Sequence, residues 1–207
     1  MKNPPGILFT QGLKRSRKIK RKILPFMSLF LATLLPGLFL VLLGAMLVSN
    51  HAGVAAAARA LPRSTGAAWL FFGSGAAWFI LRLARLGESD LIFFQTPQPV
   101  MLAFGILAVL AFVYTPDFLA VRGLCVLMLL SAEPLLYAAY MEYQHPQRLL
   151  MVTAVYVGLA LSLYLAAAPY RLRDFFEWLF RVPSRPRIIG AILLVYGLAT
   201  SAAAFTY

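Results

Sequence analysis

Residues 149–168 read LLMVTAVYVGLALSLYLAAA, residues 169–187 read PYRLRDFFEWLFRVPSRPR, and residues 188–207 read IIGAILLVYGLATSAAAFTY. Neither outer run carries a charge over its 20 residues. At a rise of ~1.5 Å per residue each makes a helix of about 30 Å, the thickness of a bilayer's hydrocarbon core. The middle stretch has a different pattern. Leu172, Phe175, Phe176, Leu179 and Val182 fall on one helical face, and Arg173, Asp174, Glu177 and Arg181 fall on the other. This spacing predicts an amphipathic interfacial helix over 169–182, lying flat at a membrane surface between two crossings. Pro169 suits a first helical turn, and Pro183 with Pro186 is expected to stop the helix. Arg173 to Glu177 and Glu177 to Arg181 are each four apart, so charge pairs can run along the wet face for about 0.2–0.5 kcal/mol each.

The rest of the chain extends this reading. Of 207 residues, 61% are hydrophobic and 13% charged, against about 25% charged in soluble domains. The expected fold class is all-α, a polytopic integral membrane bundle of about six transmembrane helices plus the interfacial helix. Residues 1–22 form a basic tail, and 23–207 form one transmembrane domain with helices over 23–49, 66–83, 98–115, 118–141, 149–168 and 188–207. The run from Ile23 to Ser49 has no charge, and its apolar core is longer than the ~7–15 residues of a signal peptide, so an uncleaved helix kinked at Pro36-Gly37 is expected. The third apolar run, Val100 to Tyr114, spans only about 22 Å, short of a hydrocarbon core.

Net charge is +12, but eight of the nineteen basic residues precede Ile23. The excess belongs to a tail that should stay cytoplasmic and touch anionic lipid headgroups. A nucleic-acid partner is not expected. Six crossings place both termini in the cytoplasm. They also place the five arginines of 169–187 outside, against the charge rule. If one earlier segment were re-entrant, that loop would move inside.

Two hairpins share an order of features. Arginines, acids, Phe93-Phe94, Pro97 and Pro99 precede a helix in one, and arginines, acids, Phe175-Phe176, Pro183 and Pro186 precede a helix in the other. An inverted repeat of helices one to three on four to six would read this way. So would two unrelated connections built from the residue types that suit a membrane surface.

Glu133 is the foremost candidate for chemistry, because it lies below the headgroups, where an ionised acid costs ~2.5 kcal/mol or more. It can serve as a proton or cation site, as a salt-bridge partner, or snorkel near the kink at Pro134. Arg122, near the start of the same helix, is the other charged residue of this candidate ion or salt-bridge site. Gly73, Ser74, Gly75 and Ala77 form a small-residue patch for close helix packing. His51 and His145 are expected on opposite sides of the membrane, and Cys125 is the sole cysteine, so no metal or cofactor site is expected. Ser74 has no histidine in the last two helices to activate it, and no catalytic residue set is recognised.

Pro169, Trp178, Val182-Pro183-Ser184, Arg187-Ile188-Ile189-Gly190 and Gly197-Leu198 together resemble the YjeT-like family of small bacterial inner-membrane proteins, a domain of unknown function. The likeness covers about residues 150–205. It implies a bacterial inner (cytoplasmic) membrane and no reaction, so no functional residue carries over. The resulting expectation is a non-enzymatic structural or accessory subunit of a membrane assembly, with a membrane-protein partner or a second copy of itself. The alternative is a small transporter or channel working through Glu133.

Overall fold

A computed structural model describes residues 27–86 and 96–207. The basic tail 1–22, Glu88, Asp90, Phe93 and Phe94 lie outside the described residues. Among those described, the chain is helical and has no strands. Helix α1, Leu29–Ser49, starts where the Ser28 hydroxyl accepts the Leu31 N–H at 3.3 Å. It ends at Asn50 in the left-handed conformation (φ 46°), which asparagine tolerates better than most residues. Helix α2, Ala52–Ala60, is capped by His51, whose Nδ1 accepts the Gly53 N–H at 3.2 Å. A tight turn at Leu61–Arg63 leads into α3, Thr65–Leu83, capped by Ser64. Then follow α4, Gln98–Tyr114; α5, Leu119–Ala139; α6, Arg148–Ala167; α7, Tyr170–Leu179; and α8, Ser184–Ala204.

Five of these, α1, α3, α5, α6 and α8, are long and apolar enough to cross a membrane. Helix α4 is apolar but has only 17 residues, or about 25 Å, matching the short third run in the sequence. One boundary differs from expectation. Pro186 does not stop the helix before it. It sits in the first turn of α8, which starts at Ser184 and not at 188, because the ring's fixed φ suits that turn and the N–H it lacks has no partner there.

Helices α1 and α8 form the tightest pair in the molecule. They run antiparallel and meet through glycines spaced seven apart on each, Gly37 and Gly44 against Gly190 and Gly197. A Cβ on Gly44 would lie 2.7 Å from the Gly190 carbonyl oxygen, and one on Gly197 would lie 2.8 Å from the Gly37 carbonyl oxygen. Real Cβ atoms essentially never come that close, so the two backbones touch only because these side chains are absent.

A second antiparallel pair, α5 and α6, packs Ala132, Ala139, Met151 and Val155 against Ala32 of α1. Helix α3 lies on α5, with Ala68 against Leu119 and Ala120, and α4 stacks on α3 through Phe79 with Phe104 and Trp69 with Phe112. Phe30 with Phe205, Thr33 with Tyr207, and His145 with Tyr207 mark one end of the bundle. Arg59 with Phe180, and Arg63 over Phe118, mark the other. Each successive apolar segment, α4 included, therefore reverses direction. Helix α5 runs along α6, but α1 has no packing of that extent against α3, so the neighbours of the first three segments are not repeated in the last three.

Candidate functional site

The charged site within the apolar segments is built from α3 and α5. Glu133 stands six residues before the end of α5, about 9 Å along the axis. The next residue, Pro134, has no N–H, so the Leu130 carbonyl loses its usual donor one turn back. Arg82 closes α3 at the same level and reaches across. Its Nη2 lies 2.7 Å from Glu133 Oε2, and Nη1 lies 3.5 Å from Oε1. The two side chains meet in a near-parallel fork, the geometry in which guanidinium and carboxylate interact best. The pair is not enclosed. The Glu133 side chain is 58% exposed and that of Arg82 is 23% exposed, so the carboxylate is open to the surroundings of the bundle.

Arg122, named with Glu133 in the sequence, is not part of this pair. It sits near the start of α5, eleven residues and about 16 Å away along the axis, close to Asp117 and the left-handed Phe118 (φ 60°). The partner that the structure supplies, Arg82, looks from sequence like a residue snorkelling at a helix end.

The small-residue patch divides. Gly75 is buried against Gly123 and Val126 of α5, whereas Gly73 meets nothing and Ala77 is exposed. Ser74 donates its hydroxyl to the Leu70 carbonyl and, at 3.3 Å, to the Phe71 carbonyl. Those acceptors lie in a π-helical turn at Trp69–Gly73, a wider winding that leaves carbonyls poorly served by backbone donors. Gly123 lies hard against the Phe72 backbone there, so α5 can pack on this turn only with glycine at 123. Below it, Phe72, Phe79, Phe104, Leu107, Val126 and Leu130 line an apolar groove of about 420 Å³ between α3, α4 and α5.

At the opposite end of the molecule, α7 packs on α2 and on the Leu61–Arg63 turn. Leu179 is 1% exposed, Leu172 and Phe176 are half-buried, and Phe175 and Trp178 are open. Arg173 donates to Asp174 Oδ1 from Nη2 at 2.8 Å and approaches Glu177 at 3.9 Å. The hydrogen bond donated to Asp174 and then the Asp174 charge, with a smaller contribution from Glu177, hold the Arg173 pKa above the usual arginine range. Arg59 of α2 donates to the Phe180 carbonyl at 3.1 Å. Between the two helices lies a cleft of about 600 Å³ lined by Arg59, Asp174, Glu177, Trp178 and Arg181.

Among the described residues, no three His, Cys, Asp or Glu side chains come together in a way that could hold a metal ion. The α1–α8 seam also has a polar component. Thr33 is fully buried and its hydroxyl lies 3.2 Å from Tyr207 Oη, while Ser201 Oγ is buried against Gly37 with no hydrogen-bond partner. The sequence reading missed the glycines of this seam: their seven-residue spacing on each run takes on a meaning only when the two distant runs are paired. No family model, no curated protein and no solved structure matches this chain.

Proposed function

We propose that this chain is a multi-pass protein of a bacterial inner membrane and serves as a non-catalytic structural or accessory subunit of a membrane assembly. The observation that carries the proposal is the exposed Glu133, paired with Arg82 on otherwise apolar helices. An ionised group facing hydrocarbon costs ~2.5–3.5 kcal/mol even on permissive scales. A partner helix lying over the pair, with apolar side chains in the neighbouring groove, removes that cost. The partner is another membrane protein or a second copy of this chain.

The antiparallel register of α1 and α8 supports an even number of crossings, six when the short α4 is counted, with the bilayer thinned beside it. The basic tail supports a cytoplasmic N-terminus. The likeness of residues 150–205 to the YjeT-like family is the ground for naming the bacterial inner membrane.

Native mass spectrometry from a mild detergent tests the proposal. Wild type should run above the mass of one chain, and Arg82→Leu with Glu133→Leu should change the assembly. A lone chain at all concentrations would sink it. The second reading, a small transporter or channel with Glu133 as a proton or cation site, is favoured by the break at Pro134 beside the carboxylate. Flux into liposomes that is present in wild type and lost in Glu133→Gln would establish it.

A further inference from the structure

We infer that the cleft between α2 and α7 binds a zwitterionic phosphoethanolamine headgroup. This rests on the reading of the chain as a membrane protein whose α7 lies at the bilayer surface. The cleft is lined by two arginines, Arg59 and Arg181, two acids, Asp174 and Glu177, and the aromatic Trp178. Its lining carries two cationic and two anionic groups, which suits a ligand carrying both signs and not a simple anion. Arg59 is already held in place by its bond to the Phe180 carbonyl and its position 5.8 Å over the Phe180 ring, and one bond leaves most of its five donors available. Arg181 makes no ion pair among the described residues. Asp174 uses one carboxylate oxygen on Arg173, and Glu177 is only loosely approached at 3.9 Å.

A phosphate diester takes charge-assisted bonds from the two arginines, and a primary ammonium gives its protons to the two carboxylates. Trp178 forms an apolar flank at headgroup depth, where tryptophan is enriched in membrane proteins. Its indole is held by Arg185, 4.5 Å over the ring, and by Phe175, stacked at 6.0 Å. The ammonium must donate protons to satisfy both carboxylates. A trimethylated choline cannot, and a glycerol headgroup carries no cation.

The test titrates delipidated protein with phosphatidylethanolamine, phosphatidylcholine and phosphatidylglycerol of identical acyl chains and counts retained lipid by native mass spectrometry. Phosphatidylethanolamine should be retained about tenfold over the other two, the worth of one charge-assisted hydrogen bond. Glu177→Gln should lower phosphatidylethanolamine to the phosphatidylcholine level and leave phosphatidylcholine unchanged. Arg181→Gln should weaken both, and Arg181→Lys should restore part of the loss, which also guards against a folding defect. Equal retention of all three lipids, or phosphatidylglycerol retained as well as phosphatidylethanolamine, overturns the inference. Displacement by free glycerophosphoethanolamine supports the headgroup chemistry with a soluble source, and failure to displace bound lipid supports it with the bilayer as source. Release of the protein from membranes by alkaline carbonate would remove the membrane reading itself, whereas an inserted protein with no lipid preference removes only this inference.

Discussion

Glu133 and Gly44 show how differently single residues speak from a sequence. An acid inside an apolar run is visible at once because its burial is costly, yet its partner was not visible. Arg82 lies 51 residues away, and only the packing of α3 on α5 brings them together. Removing one member should therefore hurt more than removing both. Glu133→Leu alone leaves an unpaired guanidinium among apolar helices, and adding Arg82→Leu should recover about 0.5–3 kcal/mol of that loss. Unfolding in mixed micelles, run as a double-mutant cycle, measures it, and additive losses would show that the two side chains do not interact. Gly44 carries no such signal, since an isolated glycine in a membrane helix is common. Its role lies in the Gly190 backbone lying against it. Gly44→Val should cost at least about 1–3 kcal/mol by overpacking, while Gly105→Val, at a site with open space around it, should be nearly silent in the same assay.

The individual helices were the most legible part of the chain. Uncharged runs fix where a helix can lie, and the observed α1, α3, α5, α6 and α8 fall within or within a few residues of the runs that the sequence offers. Their neighbours were not legible, because apolar faces in a bilayer carry no contrast between lipid and protein. The patch at Gly73 to Ala77 illustrates this: only the face bearing Gly75 meets α5, and the π-helical turn before it rotates that face in a way no periodicity discloses. Helix α7 was easier, since its two faces differ in chemistry. Leu179, at its buried end, should cost about 2–5 kcal/mol as Leu179→Ala. Limited proteolysis between Arg181 and Arg185 should report that loss as faster cleavage. Phe175→Ala, on the open face, should leave the rate unchanged and weaken only attachment to lipid.

At the scale of the whole molecule, the alternation of directions makes a prediction that needs no absolute orientation. In a Cys125→Ala background, cysteines placed at Thr115 and Ser184 should label from one side of the membrane, and cysteines at Thr96 and Gln144 from the other. Thr96 and Thr115 labelling from the same side would show that α4 does not cross. Ser184 labelling from the cytoplasm would reverse the expected orientation. The sequence offers six apolar runs, of which five form helices long and apolar enough to cross a membrane, but nothing in those runs discloses that α1 lies antiparallel to α8. That pairing has a consequence in time. At about 5–20 residues per second, synthesis from Gly44 to Gly190 takes roughly 7–30 s. An α1 that enters a bilayer as it is made spends that interval without α8 against its glycine seam, open to whatever small-residue helix drifts past. The fidelity of this fold therefore depends on the order in which its helices are made, and a chaperone or translocon surface that shields α1 during the wait would raise the yield without touching the finished structure.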